Sequence, residues 1–350
     1  MSGRELIARA AAAYELGDHA EARRLTLAAL PALEGEQAVG ALLLLGRTHR
    51  NLGDREEAER TFRRADEGAR DLPEGPENDH VRVYALEALA ELRGAQGRYR
   101  EAESLFREAL ALAESTFGPN ALEVADVANG LAITFKFAGR FDEAEELYGR
   151  ALVVLETELG PEHPDVASVY HNLGGLEHAR GNFEAAEPFA RRSVEIRERA
   201  VPPDHPDLAA DRAALAAILY AVGKDEEAEA LLRDAVAVFE RLFGQEHYEV
   251  AVNLGNLAAI LQRRGEVQEA EPLYRRAVAI MEKALGPDHP ELAGTLNNLG
   301  FLCAVDGRAA EAEALYRRAL EILEASVEPT HPTLAACREN LAALLSESGR

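Results

Sequence analysis

Apolar side chains recur along this chain at the spacing of one helix face. Val166, Val169, Leu173 and Leu176 fall three or four residues apart, and Ala144, Leu147, Ala151 and Val154 do the same. This is the period of an amphipathic helix, and no stretch of note alternates with the two-residue period of a strand. The pattern itself repeats. His163-Pro164, His205-Pro206, His289-Pro290 and His331-Pro332, with His247-Tyr248 between them, step by 42 residues. Gly97, Gly139, Gly181, Gly223, Gly265, Gly307 and Gly349 keep the same step. Five residues after the first six of these glycines stand Ala102, Ala144, Ala186, Ala228, Ala270 and Ala312. Gly17 and Gly53 open shorter, divergent units of the same texture.

Each period reads as two helices. The first begins at His-Pro-acid, as at His163-Pro164-Asp165: proline is tolerated where its missing N–H would be unpaired anyway, and the acid favours the helix N-terminus. It stops at the periodic glycine, which can take the left-handed conformation that helix ends use. The second helix, for example residues 141–160, buries one face and turns a Glu-rich face to solvent. Small residues at 132, 174, 216, 258, 300 and 342, with the alanine series, let helices approach closely beside Tyr148, Phe189, Leu232, Tyr274 or Tyr316. A single pair cannot bury its own apolar face, so neighbours must stack.

The expected fold is therefore all-α, a right-handed α-solenoid of about eight helix pairs plus a C-terminal capping helix at about 332–347. First helices line its concave side and second helices its convex side. The expected organisation is divergent units over 1–65, a joint at 66–80, and the regular array over 81–350. The joint is placed there because Gly53 and Gly97 lie 44 residues apart, not 42.

The spacing Asn298-Leu299-Gly300, Gly307, Ala312, Tyr316, Ala319-Leu320 resembles the tetratricopeptide repeat. The 42-residue length and the Leu-Gly-Pro-Asp-His-Pro junction at 285–290 look like its kinesin-light-chain-type subclass. The resemblance covers residues 80–350 strongly and 5–65 more weakly. It implies a protein- or peptide-binding scaffold. No nucleotide-binding or catalytic domain of the kind many bacterial relatives carry is apparent.

Composition narrows the partners. With 38 Lys+Arg against 62 Asp+Glu the formal net charge is −24, which argues against binding nucleic acid or an anionic membrane. Two cysteines, Cys303 and Cys337, cannot build a disulfide framework; both fall at expected core positions. No apolar run is long enough to span a membrane, and residues 1–20 lack a signal core, so a cytoplasmic protein is expected. The arginine bias, with lysine only at 136, 224 and 283, suggests a GC-rich genome. No cofactor motif is present.

The periodic histidines read as junction residues that cap or pack, because successive repeats are too far apart for one ion to bridge. His171 and His178 stand outside that series, two turns apart on one helix face. They are expected in the groove beside Lys136 and Tyr220, with Asp126, Ser168 and Glu177 as nearby oxygen donors. A metal site or metal-dependent enzyme at His171 and His178 is one alternative; a ligand- or peptide-responsive regulator is another.

The asparagines are the clearest polar series. Asn172, Asn256, Asn298 and Asn340 share one register, broken by Ala214, with Asn129, Asn253 and Asn297 beside it. Asparagine is a mediocre helix former, and an amide offers donor and acceptor together. The resemblance implies that such amides hold a peptide backbone; bonding between neighbouring helices is the competing use. Lys136, Arg212, Arg263 and Arg338 suggest a partly basic groove for a partner with acidic residues. Ile133, Phe137, Tyr220, Gln262 and Phe301 complete the candidate contacts. Homo-oligomerisation through the solenoid ends or the concave face is also possible.

Overall fold

The computed structural model describes residues 2–326 and 332–347; His331, Gly349 and the chain end at Arg350 lie outside them. Among the described residues there are seventeen α-helices, one 3-10 turn at Leu30–Ala32, and no strand. That matches the eight pairs and final helix expected from the 42-residue period. The chain divides into two compact units, one ending at Arg180 and the other starting at Gly181.

The first unit holds α1 (Gly3–Glu15), α2 (His19–Ala29), α3 (Gly35–Asn51), α4 (Arg55–Arg70), α5 (Pro76–Ala95), α6 (Tyr99–Phe117), α7 (Leu122–Phe137), α8 (Phe141–Glu158) and α9 (Pro164–Arg180). The helices α1, α3, α5 and α7 each pack on the even-numbered helix that follows, and α3, α5, α7 and α9 also touch in sequence, forming a first-helix face. Of the 66–80 stretch read as a joint, α4 takes the residues through Arg70 and α5 those from Pro76, leaving five residues between.

The second unit holds α10 (Phe183–Ala200), α11 (Pro206–Ala221), α12 (Asp225–Phe243), α13 (Tyr248–Arg263), α14 (Val267–Leu285), α15 (Leu292–Val305), α16 (Ala309–Ser326) and α17 (Pro332–Glu347). Here α11, α13, α15 and α17 form the equivalent face.

The junction chemistry follows the sequence. At the end of α7, Gly139 takes φ 75°, and the next residue's N–H reaches back to the Phe135 carbonyl at 2.9 Å, closing the helix end. The described periodic histidines bond the chain at the helix starts, His205 and His247 as N-caps. Nδ1 of His163, His205, His247 and His289 accepts the backbone N–H two residues on, at 3.2, 3.2, 3.3 and 3.4 Å. Each imidazole thus satisfies one of the donors that a helix start leaves unpaired. The helix after His289 begins late, at Leu292 rather than at Pro290.

The small-against-large packing is also present. A Cβ added to Gly300 would sit 2.9 Å from the Tyr316 ring, and one added to Gly130 would sit 2.5 Å from Phe106. Both helices therefore approach as closely as glycine allows, and Tyr148, Tyr274 and Tyr316 are among the largest fully buried side chains. Cys303 and Cys337 are buried as expected, and burial pushes the Cys337 thiol up to about 11.

Candidate functional site

A concavity lies on the first-helix face of the first unit, a cavity of about 730 Å³. Four helices build it: α3 contributes Arg47, α5 contributes Tyr84, Glu87, Glu91 and Gly94, α6 contributes Tyr99, and α7 contributes Asp126, Asn129, Ile133 and Phe137. Space exists because Gly94 and Ala95 present almost no side chain, and a Cβ added at Gly94 would meet nothing within 4 Å. The Tyr99 and Phe137 rings form one wall, near-parallel at 6° with centroids 6.5 Å apart. Phe137 is 63% exposed, a large apolar surface facing water.

The polar lining is acidic. Glu87 is half-buried, and burial with the neighbouring charges of Asp126 and Glu91 pushes its carboxyl up to about 8, against a smaller opposing pull from Arg47. Asp126 keeps solvent contact at the cavity edge, yet the protein around it, with Asp165 and Glu123, raises its carboxyl to about 6. Among the described residues neither Glu87 nor Asp126 has a hydrogen-bond or ion-pair partner, whereas Glu91 receives Arg50 at 2.8 Å. Carboxyls with raised pKa and no partner, in a concavity with aromatic walls, mark a candidate binding site.

Of the residues singled out from sequence, Asn129, Ile133 and Phe137 line this cavity, and Asp126 does so too. Asn129 Oδ1 accepts Nδ2 of Asn172 at 2.9 Å, so this part of the asparagine row bridges α7 and α9. Asn340 Nδ2 likewise donates to Asn297 Oδ1 at 2.9 Å in the second unit. The bridging use of these amides is thus realised. Asn253 instead bonds back to the Glu249 carbonyl at 2.8 Å, and Asn256 is exposed. Asn298 hydrogen-bonds Tyr274, whose hydroxyl also donates to Gln262 Oε1 at 3.0 Å. Phe301 is 43% exposed on α15.

Lys136 reaches across to α9, where its Nζ lies 3.5 Å from the position of a Cβ on Gly175 and 5.0 Å from the Phe137 ring centroid. Burial lowers the Lys136 ammonium pKa, and desolvation also lowers that of the His178 imidazole. His171 lies on the same helix, in the first unit. Among the described residues no three His, Cys, Asp or Glu side chains gather as a metal site.

Three of the four cations expected to make the groove partly basic, all but Lys136, are paired within the array. Arg263 donates to Asp225 at 2.8 Å and to the Tyr220 carbonyl at 2.7 Å, and its guanidinium stacks 3.6 Å over the Tyr220 ring. Arg212 pairs with Glu198 at 2.9 Å and Arg338 with Glu324 at 2.8 Å, each reaching back fourteen residues to the preceding second helix. These cations are neutralised within the array. Arg47, Tyr84, Glu87 and Tyr99 were missed, although Glu87 stands one 42-residue step before Asn129 and could have been found by extending that row backwards.

Comparison with known proteins agrees with this architecture. The tetratricopeptide-repeat profile matches residues 82–157, 137–199, 165–241, 207–278, 249–304 and 291–350, with further repeats at 41–75 and 6–26. No curated protein sequence matches the chain. Among solved structures, BtubC (BKLC) from P. vanneervenii is 25% identical at TM-score 0.50, over 70% of this chain and 93% of that one. A putative kinesin light chain with nearly identical repeats from Podosopora anserina is 26% identical at TM-score 0.50, over 58% and 96%. A Rap protein complexed with competence and sporulation factor shares the fold at TM-score 0.59 and 14% identity, over 99% and 98%. No helix among the described residues is long and apolar enough to cross a membrane. The chain belongs to the tetratricopeptide-repeat family, with kinesin-light-chain-like proteins among its structural neighbours.

Proposed function

We propose that the chain is a protein-interaction module that holds an extended segment of a partner on the first-helix face of its first unit. The cavity of about 730 Å³ walled by Tyr84, Tyr99 and Phe137 is the observation that supports this reading. Its size falls in the range that receives a side chain or a small ligand, and its aromatic walls supply rigid contact area at low entropic cost. Asn129 and Asn172 run alongside. Their mutual bond uses one donor and one acceptor of two amides, leaving capacity on both for a peptide backbone. His171 and Lys136 extend the same surface.

The test is selection of a displayed random-peptide library on the full chain, followed by titration of the recovered peptides. Gly94→Tyr fills the cavity at a position with open space around it, so the fold tolerates it. Recovered peptides are expected to bind with micromolar Kd and to lose about tenfold or more on Gly94→Tyr. No enrichment, or equal binding to both proteins, would overturn the reading.

A further inference from the structure

The cavity has no partner yet for its charge. Glu87 from α5 and Asp126 from α7 line it with no hydrogen bond or ion pair among the described residues. The charged and titratable groups facing Glu87 are Arg47 from α3, Tyr84 and Glu91 on α5 itself, Tyr99 from α6 and Asp126 from α7. Counting Arg50 on Glu91, three carboxyl groups stand against two guanidiniums, and all three are ionised only above about pH 8. Glu123 and Asp165 add to the acidic field around Asp126. For the half-buried Glu87, though not for the exposed Asp126, a carboxylate is costly until an opposite charge reaches it.

The walls suit the same occupant. Tyr84 and Tyr99 offer faces that attract a cation, and with Phe137, whose ring already has the Lys136 ammonium 5.0 Å from its centroid, they offer surface against which a methylene stem can lie. An acidic or purely apolar group would leave the carboxyls unpaired and, for the acid, repelled.

We propose that the cavity receives a basic side chain, arginine or lysine, of the bound partner peptide, with its charged head against Glu87 and Asp126 and its stem against Tyr84, Tyr99 and Phe137. This rests on the reading that the cavity is the partner groove, and it adds the chemistry that the groove selects. It also reverses the acidic partner expected from the arginines of the sequence, since those arginines are already paired.

Binding would carry a proton signature. Near neutral pH the Glu87 carboxyl, pushed up to about 8, is largely protonated. An arriving cation favours the carboxylate, so the proton leaves on binding and affinity rises with pH through that range.

The experiment is calorimetric titration of the full chain with three blocked pentapeptides, identical except for a central arginine, norleucine or glutamate, in buffers of different ionisation enthalpy. The arginine peptide is expected to bind about tenfold tighter than the norleucine peptide, to release close to one proton at pH 7, and to tighten between pH 6 and pH 9. On Glu87→Gln the preference should shrink to about threefold or less and the proton release should vanish. If all three peptides bind equally and all weaken on Gly94→Tyr, the groove stands but its basic preference is overturned. If none binds, or binding ignores Gly94→Tyr, the groove reading falls and this proposal with it.

Discussion

The two units use the same repeat positions in opposite ways. In the first unit Tyr99 and Phe137 form an aromatic wall beside Gly94, and the space between is open. Three repeats later the same positions are Asp225, Arg263 and Tyr220. There the guanidinium lies 3.6 Å over the phenol ring and is tied to the carboxylate. The positions of Glu87, Glu91 and Asp126 become Ala213, Ala217 and Val252. One face is a poised cavity with unpaired charge, and the other is closed by its own cation–π clamp. Repeat architecture fixes where side chains point, but the identity of a few of them decides whether a face is available.

The carboxyls show the same contrast, and they give the largest expected effect. Asp211 in the second unit is 3% exposed and accepts Arg197 Nε at 2.9 Å. Asp211→Ala takes from the buried Arg197 guanidinium its 2.9 Å carboxylate partner and leaves Asp207 at 3.6 Å, with an expected loss of about 3 kcal/mol in denaturant unfolding. Glu87→Gln in the first unit should do the reverse above neutral pH, raising stability by removing an unpaired charge. Loss of stability in both variants, or gain in both, would break the comparison.

A transplant comes next. Tyr99→Asp with Phe137→Arg installs the pair found at Asp225 and Arg263, and Gly94→Tyr adds the ring that the guanidinium stacks on. The triple variant should keep its helicity by circular dichroism while peptide affinity falls about tenfold or more. Undiminished affinity would mean that the aromatic wall is not the contact surface.

The pH dependence separates two kinds of acid within the first unit. Glu87 has its pKa raised to about 8, so the stability it contributes is full below about 4.5 and is lost as pH rises through 8. Glu59, hydrogen-bonded by Arg93 and Gln96, is lowered to about 2, so its contribution is present above about 4.5 and is lost as pH falls toward 2. Thermal unfolding should therefore weaken at both ends, and Glu87→Gln should flatten the alkaline limb alone. The smallest effect belongs to the caps. His247→Ala should cost about 1 kcal/mol, while His247→Asn, which keeps a capping acceptor, should cost only a few tenths.

Most of the fold was legible because its determinants are local and periodic. The glycine turns, the histidine caps and the pairing of Gly300 with Tyr316 each involve residues at a fixed separation, which one repeat teaches for all. The cavity was less legible for two physical reasons. It sits where Gly53 to Gly97 breaks the period, so the register of Arg47 could not be carried over from regular repeats. The arginines misled because charge was read without partners. Arg212 finds Glu198 and Arg338 finds Glu324 only once successive helices are stacked. Asn129 shows the halfway case, placed correctly on the face while its bond to Asn172 needed the neighbouring helix to appear.

Amide hydrogen exchange of the full chain, with and without the central-arginine pentapeptide, tests the difference between the two faces directly. Protection is expected in residues 76–137 and not in 206–263, and it should disappear on Gly94→Tyr. Protection confined to 206–263, or spread equally over both stretches, would contradict the assignment of an open face to the first unit and a closed one to the second.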